Sequence, residues 1–258
     1  MLAPTALRLL DLIEEAIEDA LQERRRPVIL DVGTGTGTLA MAAAGRWPGA
    51  NVVGVDPDPD MLAVARAEAD REFGSAGGLG FLLGRAEALP LPARSVDALV
   101  SSFVLQLVED RAAALREAAR VLRPGGTAAI VTWQGPTPAF PPRNVFSRTL
   151  VEFGLEASDR KRGSHNGDGL RSPTTAAAEL SRAGFLNARA HAAPLGYRFE
   201  PHAFLEWKEH LDERQLFEGL DRARRERLLA LLRSRLGRLC PDDFVVPDPV
   251  VYVTGRRR

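Results

Sequence analysis

The run Pro27-Val28-Ile29-Leu30-Asp31-Val32-Gly33-Thr34-Gly35-Thr36-Gly37-Thr38-Leu39-Ala40 constrains this chain more than any other stretch. An apolar, partly β-branched segment runs into an acid, then three glycines alternate with threonines, then an alanine-rich segment begins. The pattern predicts a buried strand, a tight loop and the first turn of a helix. Glycine at alternate positions permits positive φ and removes the Cβ that would hold a ligand off the backbone. A loop of this kind can fold over a nucleotide-like ligand at the carboxyl edge of a parallel sheet.

The glycines alone are ambiguous, because Gly35-x-Gly37-x-x-Ala40 also satisfies the dinucleotide pattern G-x-G-x-x-G/A. Asp31 separates the two readings. A diphosphate is drawn to a helix N-terminus by free N–H groups and the helix dipole. A carboxylate two residues before the first glycine opposes such an anion and suits a ligand carrying an ammonium and a sulfonium. Asp31-x-Gly33-x-Gly35-x-Gly37 resembles the first motif of class I S-adenosylmethionine (SAM)-dependent methyltransferases. The resemblance implies that Asp31, Gly33, Thr34, Gly35 and Gly37 line the cofactor site.

The strand Asn51–Asp56 ends in a second acid, about twenty residues past the glycines, where a carboxylate can take two ribose hydroxyls. The competing role for Asp56 is the N-cap of a helix expected over Pro57 to Asp70. Met61 is expected either on the adenine face or in the core, with Pro57 beside Asp56. A third strand is expected over Leu79 to Gly84, after a glycine-rich turn from Gly74 to Gly80. The run Gly84-Arg85-Ala86-Glu87-Ala88-Leu89-Pro90 resembles the family's adenine-binding turn, implying roles for Ala86 and Glu87. The family's usual acceptor aspartate is Arg85 here, and a guanidinium cannot accept a hydrogen bond. The adenine edge is then read by backbone groups near Ala86 and by Glu87, or Arg85 stacks on a ring or points to solvent.

Ser95-Val-Asp-Ala-Leu-Val-Ser-Ser102 resembles the family's fourth strand, and Ser101-Ser-Phe-Val-Leu-Gln-Leu-Val-Glu109 resembles the segment after it that lines the methionine half of SAM, implying Ser101, Phe103 and Gln106; Phe103 and Leu105 also fit a core. A helix from Arg111 to Leu122 is expected to stop at Arg123-Pro124-Gly125-Gly126, a turn that resembles a recurrent methyltransferase feature, before strand five over Thr127 to Trp133. The resemblance covers Pro27 to Trp133 without a gap and is nearest to the ubiquinone and menaquinone biosynthesis type.

Composition bounds the partners. The formal net charge is +0 with 26% charged residues, which gives no bulk electrostatic case for nucleic acid or an acidic membrane. Cys240 is the only cysteine, which excludes an intramolecular disulfide and fits a reducing compartment; it is expected as a small buried hydrophobe. The N-terminal residues follow helical spacing over Thr5 to Arg25 and carry Asp11, Glu14, Glu15 and Glu18, unlike a signal peptide. No window has the apolar length of a membrane span. A soluble, cytoplasmic protein is expected.

The second half carries fewer motifs. Helices are expected near Arg143 to Phe153, over Thr174 to Ala183, and through most of Pro201 to Leu239. Strands are expected over Phe185 to Ala193 and Pro249 to Gly255, and the resemblance implies that the last enters antiparallel beside strand five. The arginines between Arg222 and Arg238 are expected on a solvated helix face. Histidine spacing gives no metal site. His165, His202 and Tyr197 are the candidates for a general base, none of them singled out by a motif.

The chain is therefore expected to be α/β, a doubly wound, mostly parallel seven-stranded sheet with a helical cap made of insertions. Its parts are a SAM-binding core over 1–133, a cap insertion over 134–172, further core over 173–196, a helical cap over 197–244 and a final strand over 245–258. The expected reaction is methyl transfer from SAM to a small organic acceptor, leaving S-adenosylhomocysteine (SAH). The alternatives are an NAD(P)-dependent oxidoreductase and a SAM-binding protein without turnover. The two insertions are expected to cover the transfer site.

Overall fold

The computed structural model describes residues 3–23, 25–74, 78–135, 138–155 and 172–258. His165, residues 136–137 and 156–171 of the first expected insertion, and part of the Gly74–Gly80 turn lie outside the described residues. The chain divides into two compact units. The first comprises residues 3–135, 172–193 and 249–258, and the second residues 138–155 and 194–248.

The first unit is built on a seven-stranded sheet of order β3-β2-β1-β4-β5-β7-β6. Its strands are β1 (Val28–Val32), β2 (Asn51–Asp56), β3 (Leu79–Leu83), β4 (Val96–Ser102), β5 (Leu122–Trp133), β6 (Phe185–Pro194) and β7 (Pro249–Arg257). The first five pair in parallel, and β7 runs antiparallel to β5 with Ile130 opposite Val253. Strands covered on both faces have no solvent side to alternate against, so β1 and β4 read as near-continuous apolar runs.

Helix α1 (Ala3–Gln22) buries Leu9, Leu10, Ile13 and Ile17 and packs against β4 and β5. Helix α2 (Thr38–Arg46) follows the glycine loop, α3 (Pro59–Phe73) packs on β2 and β3, and α4 (Arg111–Val121) leads into β5. A buried cluster including Leu30, Leu99, Leu115, Leu180, Val251 and Val253 joins β1, β4, α4 and β7 to helix α6 (Pro173–Arg182).

The Arg123–Gly126 turn departs from expectation. It lies inside β5 as a bulge, not between a helix and a strand. Leu122 pairs with Val96, and the next register point is Thr127 with Ala98, so several residues of β5 face a single step of β4. Gly125 takes φ +82° and makes this excursion possible.

The second unit is helical: α5 (Pro141–Glu152), α7 (Pro201–Trp207), α8 (Arg214–Glu218) and α9 (Arg222–Leu236). The expected long helix is broken, with a π-helical turn at Lys208–Asp212 and a 3₁₀ turn at Pro241–Phe244. Its core is aromatic: Phe140, Phe146, Phe199, Phe204, Phe217 and Phe244 are all buried and meet at tilted or edge-on angles. The arginines of α9 are not simply solvated. Arg225 pairs with Glu209, Arg235 with Glu152 and Thr149, and Arg224 donates to the Phe153 carbonyl. Cys240 is exposed, contrary to the expected burial, because its backbone caps the 3₁₀ turn through Asp243.

Candidate functional site

Strand order reverses between β1 and its neighbours, β2 on one side and β4 on the other, so a crevice opens at the carboxyl ends of these strands. The register brings both expected acids to that edge: Asp31 lies opposite Gly54 and Val100, and Asp56 opposite Leu83.

The loop between β1 and α2 uses its glycines in different ways. Gly33, Gly35 and Gly37 all have positive φ. A Cβ on Gly33 would fall 2.2 Å from a methyl of Val104, so this glycine admits a side chain from the segment after β4. A Cβ on Gly37 would crowd Phe81 and Ala65. Gly35, with φ +54°, has nothing within 4 Å of the corresponding point, so its open side faces free space. Gly33 and Thr34 donate their N–H groups to the Val55 carbonyl, which ties the loop to β2.

Asp31 is 2% exposed and accepts from the Thr34 hydroxyl at 2.7 Å. Burial pushes its carboxyl up to about 7, against the opposing pull of the Thr34 hydroxyl and the Ala40 backbone; the nearby Asp56 charge raises it further. Asp56 accepts from Gly35 N–H at 2.8 Å with one oxygen and from Asp58 N–H at 3.0 Å with the other. A carboxylate oxygen has two lone pairs, so each retains capacity for a further donor. Asp56 is not the helix cap: α3 starts later than expected, and Asp58 caps it by accepting from Asp60 and Met61.

Met61 is 43% exposed in the first turn of α3, which removes it from the core, and Pro57 is exposed next to Asp56. The Gly84 N–H donates to the Asp56 carbonyl, so the turn after β3 continues directly from the acid. Arg85 points largely to solvent and donates to Glu87 at 3.3 Å. The Ala86 side chain is buried in the core cluster, leaving its backbone for the crevice.

After β4, the Ser101 hydroxyl donates to the Val32 carbonyl and is 1% exposed. Phe103 is buried with φ +56°, and its ring lies 4.6 Å from that of Trp133. Both ends of the Gln106 amide are engaged inside the protein, by the Phe103 carbonyl and the Thr132 hydroxyl. Leu105 is core. His202 is exposed on α7, and Tyr197 packs edge-on against Phe199 in the second unit. Among the described residues, no group of three or more His, Cys, Asp or Glu is placed to hold a metal ion.

Sequence reasoning missed several contributors. Val104 seats on Gly33, and Thr132 and Trp133 hold the segment after β4. Glu117 and Arg120 clamp the turn at Leu89 and Leu91. Only the last pair left a signal, an i,i+3 Glu–Arg pair on a helix.

The crevice thus has an open, side-chain-free loop between two acids, one of them desolvated. That pair of acceptors opposes a diphosphate and fits a cationic adenosyl compound. Residues 30–130 match a family model described as a methyltransferase domain. This part of the chain is similar to methyltransferase domains, and the sheet it belongs to is of the Rossmann-like kind. It is 39% identical over 109 residues to the ubiquinone/menaquinone biosynthesis C-methyltransferase of Syntrophotalea carbinolica, covering 42% of this chain and 45% of that protein. It is 42% identical over 111 residues to the demethylmenaquinone methyltransferase of Chlorobaculum tepidum, covering 43% of each. The matched segment spans less than half the length of these curated relatives. The fold is also that of the Haemonchus contortus phosphoethanolamine N-methyltransferase 2 solved with S-adenosyl-L-methionine, at TM-score 0.55 and 18% identity over 90% of this chain and 49% of that one.

Proposed function

We propose that this protein transfers a methyl group from SAM to a small organic acceptor by in-line displacement. The observation that carries the reading is the pair of carboxylates, Asp31 and Asp56, on either side of a loop whose central glycine faces open space. The methyltransferase match over residues 30–130 supports it.

The residues divide the ligand among the strand ends. Asp56 accepts from ribose hydroxyls, with Pro57 and Met61 beside it. Ala86 and Glu87, at the end of the next strand outward, take the base. Gly33, Thr34, Gly35 and Gly37 let the backbone approach, and Asp31 takes the ammonium. Ser101, Phe103 and Gln106 belong to the strand on the other side, towards the amino-acid half. Bound in this way, SAM supplies an electrophilic methyl group. The protein then has to hold the acceptor in line and keep water out; orientation alone supplies roughly 7–11 kcal/mol. No acid–base pair is required where the acceptor is already nucleophilic. His202 and Tyr197 are the described candidates where it is not.

We assign acceptor choice to the segments that follow β5 and β6 in the chain, since loops after such strands commonly carry binding residues. A lone cysteine, exposed and free, suits a reducing cytoplasm. Among the described residues, no helix is long and apolar enough to cross a membrane.

Titration calorimetry with SAM, SAH and NAD tests the cofactor. Binding of SAM and SAH without NAD is expected, and tight NAD binding with no response to SAM refutes the reading. Formation of SAH against a metabolite panel then separates an enzyme from a protein that only holds the cofactor.

A further inference from the structure

The segment after β4 has an unusual backbone. Phe103 occupies the left-handed region at φ +56°, where a bulky residue is disfavoured by about 1–3 kcal/mol unless its surroundings hold it there. The surroundings here are specific. The Phe103 N–H donates to the Val131 carbonyl at 2.9 Å, and its own carbonyl accepts from the Gln106 side-chain amide at 2.5 Å. The other end of that amide accepts from the Thr132 hydroxyl at 2.8 Å. The Phe103 ring packs on Trp133. The next residue, Val104, occupies the space that Gly33 leaves by lacking a Cβ. Five contacts therefore link the end of β5, through a strained elbow, to the first glycine of the ligand loop.

We infer that Gln106 and Thr132 form a positioning clamp, fixing the Phe103–Val104 elbow against Gly33 and so shaping the half of the crevice that receives the amino-acid part of the ligand. This rests on the cofactor reading above. It gives Gln106 a different part from a direct ligand contact: one amide N–H and one carbonyl lone pair are engaged within the protein, and through them it acts on the elbow. A glutamine suits the task because it must donate to a carbonyl and accept from a hydroxyl at once.

The experiment compares SAH with adenosine, which lacks the amino-acid half, by titration calorimetry on the full chain. Gln106→Ala is expected to weaken SAH binding about tenfold while adenosine binding stays within about twofold, as the loss of one or two internal bonds at one end of the site implies. Thr132→Val acts in the same direction, and the double variant is no worse than Gln106→Ala, since both remove one clamp. Gln106→Glu supplies a readout independent of stability. Its carboxylate cannot donate to the Phe103 carbonyl at pH 8, but the protonated acid can, so its SAH affinity relative to the unaltered chain recovers as pH is lowered. Should Gln106→Ala fail to fold, Thr132→Val carries the same comparison. Equal loss of SAH and adenosine, or no loss of either, overturns the clamp while leaving the cofactor reading intact. Failure of the unaltered chain to bind SAH overturns the cofactor reading, and the clamp with it.

Discussion

At the scale of single residues, Asp31 decides how the site responds to pH. Its folded value of about 7 stands above the ordinary 3.8, so the folded chain binds this proton more tightly than the unfolded one. Stability of the ligand-free protein therefore falls as pH rises through this interval, and the cost is complete above about 7. A cation against the carboxylate reverses the preference. SAH binding should release a proton below pH 7 and strengthen as pH rises through that value. Calorimetry in buffers of different ionisation heat reads the proton, and Asp31→Asn should abolish both effects. Asp56→Ala should weaken SAH binding by about 2–4 kcal/mol, the worth of one or two charge-assisted bonds; an unchanged Kd removes Asp56 from the site. The glycines separate binding from folding. Gly35→Val puts a branched side chain into open space at positive φ, which strains the loop without meeting another atom, and should eliminate SAH binding in a chain that still folds at a lower melting temperature. Gly33→Ala adds to the same backbone strain a Cβ driven into Val104 and should lower the melting temperature more than an alanine at Gly35 does.

At the scale of elements, the ends of the strands divide the work. The carboxyl ends carry the proposed site, while the opposite end of β4 carries a structural hub. Asp97 is buried and accepts from the Val28 N–H at 2.8 Å, from Arg25 at 2.7 Å and, with both of its oxygens, from Arg123. Burial alone would raise its carboxyl, but the Val28 N–H, Arg25 and Arg123 outweigh that and hold it below the usual range. Its stabilising contribution is thus present above the unfolded value and is lost as pH falls through the lowered one. Asp97→Ala leaves the Val28 N–H without its partner and releases two partly solvated guanidinium groups, and should cost about 1–3 kcal/mol in chemical denaturation. SAH affinity in the surviving folded fraction should not change, because the hub lies at the far end of the sheet from the crevice. Local spacing made most of these elements legible. The apolar runs of β1, β2 and β4, and the glycine after β1, marked strand ends to within a residue or two. Helix starts were less legible: the acids at 56 and 58 look alike as caps, and only the hydrogen bonds assign the cap to Asp58.

At the scale of the whole molecule, ligand binding should register along one sheet edge. With SAH present, hydrogen exchange should slow around residues 31–37, 56–61, 84–89 and 101–106, and the melting temperature should rise, since ligand at a hundred times Kd adds about 2.7 kcal/mol. Protection confined to other segments excludes the crevice. The sequence by itself determined the order of strands and helices, the two acids and the side-chain-free loop, because each is written in neighbouring residues: hydrophobic period, glycine spacing, an acid at a strand end. Only the tertiary structure decided properties made by residues distant in the chain. Asp31 owes its raised proton affinity to desolvation by the packed sheet, and Gly33 owes its missing Cβ to Val104, some seventy positions on. The folding of Arg123–Gly126 into β5 depends on its pairing with β4, and the strained turn at Phe103 persists because β5 supplies Val131, Thr132 and Trp133 beside it. No local pattern encodes which of two far-apart segments will meet, so burial, strain and charge coupling enter only when the sheet closes.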